Sequence, residues 1–207
     1  MPKFTNSDIE IINQSYKEIL FNLRDYLKNF GSGNVLDDSK ILIHMLHSGL
    51  FSMNGVIRFE NDCDYLFLPT EISSRIHVMY GVSCCRHVAA FFYDILSILE
   101  FQPSLMYLFI DHTTGNWQKV NPEYEKANHV VILLECLGEQ YIIDPRNQFL
   151  FRKESHGELE LLNIELVESL PDYQDSSIET IGKILKKYYT YQEFGISHVY
   201  DYQYSIT

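Results

Sequence analysis

Apolar residues recur at helical spacing near the start of the chain. Ile12, Tyr16, Ile19, Leu20, Leu23, Leu27 and Phe30 fall on one face of a 3.6-residue period. Ser7 and Glu10 have the form of a capping box ahead of that face, and Gly31-Ser32-Gly33 stops it. A second helix is expected from Asp38 or Ser39 through Leu42, Met45 and Leu46 to Gly49. Residues 51–80 combine a short strand candidate, Tyr65 to Leu68, with Pro69 and polar turns. A third helix is expected from Cys84 or Cys85 to Leu99. Val88, Ala89, Phe92, Ile95, Leu96 and Leu99 share one face, which Phe91 and Ile98 widen. Only Arg86, His87, Asp94 and Ser97 are clearly polar, so this helix is mostly buried. Pro103 marks its end.

The period then changes. Ser104 to Ile110 reads as a strand, and Asp111 to Lys126 as a polar loop. The runs NHVVILLEC and EQYIIDP flank Leu137-Gly138 and make the clearest hairpin signal in the chain. Phe149 to Phe151 predicts another strand and Ser176 to Tyr189 a further helix, and the Tyr-rich tail could add a last strand. Helices, then a buried helix, then mostly strands predict an α+β fold. With no linker, repeat or low-complexity stretch, the chain reads as one domain. Residues 1–80 form a helical N-terminal part, 81–150 the core, and 151–207 a C-terminal helix and tail.

Composition narrows the function. A chain of 207 residues can bury a substantial core, and its net charge of −12 opposes binding to nucleic-acid phosphates or anionic lipid. The densest basic cluster, Lys183, Lys186 and Lys187, reads as the wet side of a helix. Neither a nucleic-acid nor a membrane partner is expected, since no run approaches the ~20 apolar residues of a membrane span. MPKFTNSDIE lacks a signal-peptide pattern, so a cytoplasmic location is expected, with export by a route that reads no such signal left open. Cys63, Cys84, Cys85 and Cys136 form no disulfide framework and are read as thiols, because adjacent cysteines sit about 3.8 Å apart at Cα, too close for the usual bridge.

Cys85 stands where the third helix begins, after Gly81, which can make the turn into it. Free N–H groups and the helix dipole there favour a thiolate, which the chemistry of a thiol nucleophile requires. Such a nucleophile also needs an imidazole, and the imidazole an orienting acid. His129 opens one hairpin run and Asp144 closes the next. If Leu137-Gly138 is a two-residue turn, position 131 faces position 144, and Asp144 shares a face with His129 one diagonal step away. A four-residue loop would keep the shared face and shift the pairing, whereas a three-residue loop would break it. Arg146 and Asn147 follow closely enough to brace the acid. His87 points elsewhere by helical spacing, and His44, His47, His77, His112, His156 and His198 form no pattern. Trp117, in the polar loop, reads as a surface or packing residue, and Cys84, Cys63 and Cys136 as structural thiols. Zinc is a rival use of Cys84, Cys85, His87 and His129, but adjacent cysteines do not give the spaced pairs of structural sites, so neither metal nor organic cofactor is expected.

CRHVA opening a buried helix, then NHVVILLE, then YIIDPRN resembles the transglutaminase-like superfamily of papain-type thiol enzymes. The resemblance covers residues 78–150. It implies a papain/transglutaminase-like α+β fold, with N-terminal helices and a buried catalytic helix packed on an antiparallel sheet. The matching residues are Cys85 as nucleophile, His129 as base and Asp144 as orienting acid. The implied reaction is acyl transfer on a peptide or side-chain amide of a peptide or protein substrate, with hydrolysis favoured over amine transfer. The chain departs from the family pattern in three ways. Gly81 precedes Cys85 by four residues rather than two, Val131 replaces the usual aromatic after His129, and residues 62–84 hold no Gln, Asn or Trp to serve as a second oxyanion donor, Asn61 being the nearest. The downstream Arg86-His87-Val88-Ala89 register favours Cys85 over Cys84. Two alternatives remain: an inactive binding protein on the same fold, and arylamine acyl transfer, whose family has a different Cys neighbourhood.

Overall fold

The computed structural model describes residues 4–59, 68–111, 113–114, 116–123, 125–154, 157–162 and 173–189. Cys63, Tyr65 to Phe67 and the Tyr-rich tail lie outside the described residues. Helix α1 (Asn6–Phe30) is capped by Thr5, two residues before the Ser7 cap that the sequence suggests. Thr5 Oγ1 accepts the Asp8 N–H at 3.1 Å and donates to Asp8 Oδ2 at 2.8 Å, so Thr5 caps the helix in place of Ser7, while the Thr5 N–H goes to Tyr188 Oη rather than to Asp8. Helix α2 (Val35–His47) also starts early, because the Asn34 side chain accepts the Leu36 N–H at 2.8 Å and caps the first turn.

A two-residue strand β1 (Arg58–Phe59) pairs in parallel with β2 (Val82–Ser83). Between them a 3₁₀ turn, Ser74–Ile76, runs into the short helix α3 (His77–Tyr80). Gly81 ends α3 at φ 90°, where a Cβ would come within 2.7 Å of the Val56 carbonyl oxygen, so only glycine lets the chain turn here. Two residues of β2 later, Cys84 leads into α4 (Cys85–Ile98).

Helix α4 is the centre of the core. Val88, Ala89, Phe91, Phe92, Ile95 and Leu96 are fully buried, each large side chain contributing about 1.5–3 kcal/mol. Its one buried-side acid, Asp94, accepts from Tyr16 Oη at 2.7 Å and pairs with Arg75 Nε at 2.8 Å, which ties α4 to α1 and to the 3₁₀ turn. Pro103 is not the helix stop. The helix ends at Ile98 and Glu100 turns the chain at φ 68°, leaving Pro103 inside β3 (Gln102–Ile110).

The remaining strands are β4 (Trp117–Lys119), β5 (His129–Cys136), β6 (Glu139–Asp144), β7 (Phe149–Lys153) and β8 (Leu159–Leu162). They form a six-stranded antiparallel sheet with the order β4-β3-β5-β6-β7-β8. The edge strands β4 and β8 were not foreseen; both are short and largely exposed, and only β8 alternates, over Glu158-Leu159-Glu160-Leu161. Trp117 sits on β4, 47% exposed. Helix α5 (Ser176–Tyr188) packs against α1, with Lys183, Lys186 and Lys187 on its wet side as expected.

Alternation along the strands divides the sheet into two apolar faces. Val130, Ile132, Leu134, Tyr141, Ile143 and Leu150 join the helices in the main core. Met106, Leu108, Ile110, Val131 and Ile142 form a smaller cluster on the opposite face. The fold is therefore α+β, with a buried helix against an antiparallel sheet. Among the described residues no helix is long and apolar enough to cross a membrane.

The turn between β5 and β6 is the tightest allowed. Leu137 and Gly138 have φ of 53° and 84°, the left-handed pair of a type I′ turn, which favours Asn-Gly. Leu137 is 99% exposed, so its side chain contributes no packing to offset the conformational cost. Leu137→Asn is expected to stabilise the protein by about 0.5–1 kcal/mol, raising the melting temperature by roughly 2–4 °C. Urea unfolding should show a higher midpoint at unchanged slope; a lower midpoint would contradict this reading of the turn.

Candidate active site

Three elements meet at the start of α4. Cys84 is the N-cap residue, extended at φ −122° and ψ 175°, and Cys85 is the first helical residue. The first-turn N–H groups of a helix have no intrahelical acceptors, so the backbone around Cys85 presents donors to any oxygen brought there. Cys85 is half-buried, whereas Cys84 is only 1% exposed. The two sulfurs turn to different partners.

Cys85 hydrogen-bonds the ring of His129, which opens β5. His129 Nε2 lies 2.7 Å from Asp144 Oδ2, at the end of β6. With Nε2 donating to the carboxylate, Nδ1 is the nitrogen left for the thiol. The hairpin register accounts for this pairing. Cys136 faces Glu139 and Ile132 faces Ile143, so the next step sets 131 opposite 144, and Asp144 shares a face with His129 as the two-residue turn requires. His129 is 5% and Asp144 6% exposed, so their mutual attraction acts largely out of water.

Asp144 is held on every side. Its Oδ2 also accepts from Asn147 Nδ2 at 2.8 Å, and its Oδ1 accepts the Asn147 backbone N–H at 3.2 Å. Asn147 is thus the residue that braces the acid.

Cys84 touches Cys85 and leads away from it into a second chain of contacts. Its Sγ lies 3.6 Å from His87 Nδ1, which lies 2.9 Å from His77 Nδ1. Both imidazoles are buried, and burial together with the Arg86 charge lowers His87 to about 4, leaving it neutral. The sequence signal for this pair was missed because His77 precedes Gly81, and only the left-handed turn there folds α3 back beside the first turn of α4. Among the described residues no group of three His, Cys, Asp or Glu side chains could hold a metal ion.

The protonation of the site differs from the expectation for a helix start. The hydrogen bond with Cys84 and burial push the Cys85 thiol up to about 12, against the opposing pull of His129. For His129, burial favours the neutral ring, but hydrogen bonds and charge from Asp144 and Cys85 outweigh it and raise the ring to about 9. At neutral pH the Cys85 sulfur therefore rests as the thiol and the His129 ring carries its second proton. Loss of one proton as pH rises through about 9 leaves the thiol beside a neutral imidazole.

His129 keeps its proton up to about 9 in the folded chain and releases it near 6.5 when unfolded. Its contribution to stability is complete below pH 6.5 and is lost as pH rises through 9, amounting to at most about 3 kcal/mol. The difference in melting temperature between wild type and His129→Gln is expected to shrink across that interval; a difference independent of pH would contradict the assignment. Comparison with family models, with curated proteins and with solved structures returns no match for this chain.

Proposed function

We propose that the chain is a thiol acyl-transfer enzyme of transglutaminase-like fold, acting on peptide or side-chain amide bonds through Cys85, His129 and Asp144. The observation that carries this reading is the convergence of a reachable helix-start sulfur on an imidazole whose far nitrogen is bonded at 2.7 Å to a braced carboxylate. Three sequence motifs in the order of the transglutaminase-like superfamily supply the same residues.

In this reading His129 takes the thiol proton as Sγ attacks the carbonyl carbon, and the tetrahedral oxyanion is met by the Cys85 backbone N–H. His129 then returns the proton to the leaving amine as the carbon–nitrogen bond breaks, which leaves a thioester on Cys85. Water, deprotonated by His129, cleaves the thioester and restores the thiol. An amine in place of water would give transfer. The resemblance to microbial members of the superfamily favours hydrolysis. Asp144 keeps the ring oriented and stabilises its charged form throughout.

The raised thiol favours a second reading. A site that rests as thiol and imidazolium also suits a binding protein that keeps the fold without turnover.

Iodoacetamide labelling followed by peptide mapping separates the two. For the enzyme, Cys85 reacts before Cys84 and Cys136, its rate climbs with pH up to about 9, and His129→Ala lowers the plateau by at least ~100-fold. Faster labelling of Cys84 or Cys136, or indifference to His129→Ala, would sink the triad. Ammonia release from glutamine-containing peptides, with and without added primary amine, then distinguishes hydrolysis from transfer.

A further inference from the structure

Asp144 ends β6 and Phe149 begins β7, so the orientation of the acid depends on the path of residues 145–148 between them. Within that turn Asn147 supplies two hydrogen bonds to the carboxylate, one from its backbone and one from its side chain. Gln148 closes the turn at φ 59°. The ladder between β6 and β7 fixes its two ends, with Asp144 opposite Phe149, but leaves the intervening residues to other anchors.

One anchor comes from the N-terminal helices. His47, the last residue of α2, has its Nε2 2.8 Å from the Pro145 carbonyl oxygen and its Nδ1 3.1 Å from Gln148 Nε2. The carbonyl can only accept, so Nε2 carries the proton and Nδ1 receives the Gln148 amide. A single neutral tautomer satisfies both bonds. The two bonds grip the turn on either side of Asn147. The ring rests against Phe59 at 5.1 Å between centroids, and its backbone continues from Leu42, Ile43, Met45 and Leu46, all buried. His47 is thus a firm post. Burial also keeps its ring in the neutral form that this pattern needs, with Asp144 and His44 the charged and titratable groups that act on it.

We infer that His47 is a positioning residue for the proposed triad: by clamping Pro145 and Gln148 it fixes Asn147, and through Asn147 the carboxylate that orients His129. This rests on the reading of Cys85, His129 and Asp144 as one catalytic unit. It gives the N-terminal helices a part in the chemistry that no motif around Cys85 implies. A residue that merely packed would affect stability alone, whereas a clamp on the acid also alters how firmly His129 holds its proton.

The test is the pH dependence of Cys85 alkylation by iodoacetamide, with the melting temperature recorded in parallel. In His47→Ala the midpoint near 9 is expected to move down by about half a unit or more, and the plateau rate to fall about tenfold. His47→Gln, whose amide can still donate to Pro145, should recover at least half of the change. Gln148→Ala, which removes one bond from a surface side chain, should fall between. A folded His47→Ala protein with a profile superimposed on wild type overturns the inference. If His47→Ala does not fold, superposition for Gln148→Ala overturns it equally. Should His129→Ala leave alkylation unchanged, the triad itself fails; should His129→Ala slow it while His47→Ala has no effect, only the role of His47 falls.

Discussion

The register between β5 and β6 is the constraint on which the site depends. Side chains alternate between the two faces of a strand, so a slip by one residue would carry His129 and Asp144 to opposite sides of the sheet and would exchange Val130 and Ile132 for Val131 in the main core. Burial on both faces resists that slip, and the two-residue turn at Leu137-Gly138 removes the slack that would allow it. The imidazole and the carboxylate come together because the apolar residues between them have only one satisfactory pairing.

The Cys85 sulfur is placed by a different principle. Helix α4 is almost wholly apolar, and its polar groups are each answered locally: Asp94 by Tyr16 and Arg75, His87 by His77 and Cys84. Cys84 is the extended N-cap and Cys85 the first helical residue, so the change of backbone conformation between them turns the first sulfur toward His87 and the second toward His129. Cys84 is therefore more than a bystander. Its thiol bonds Cys85 and joins burial in raising it, so the second sulfur influences the protonation of the first.

Much of this was legible in the sequence, for identifiable reasons. α1, α4 and the β5–β6 hairpin carry long, strongly periodic apolar patterns, and the two-residue turn at Leu137-Gly138, one of the loop lengths the sequence allowed, puts Asp144 on the face of His129. The caps at Thr5 and Asn34 were misplaced because several polar residues there compete for the same role, and only backbone geometry selects among them. Edge strands β4 and β8 are three and four residues long and largely exposed, too short for a strand pattern to stand out even where Leu159 and Leu161 alternate with Glu158 and Glu160. His47 and His77 were missed for a further reason. His47 reaches its partners across the fold and His77 reaches His87 only through the turn at Gly81, and a single histidine on a helix carries no local mark of what packs against it.

The hairpin carries the imidazole and the carboxylate together, while the Cys85 sulfur arrives on a separate helix. The imidazole–carboxylate dyad is therefore a local object, held by neighbouring strands and one turn, and the complete triad is a tertiary one. Any loosening of α4 from the sheet parts the sulfur from the ring before it disturbs the dyad. The reactivity of Cys85 is in effect a gauge of how tightly the two layers of the molecule are docked.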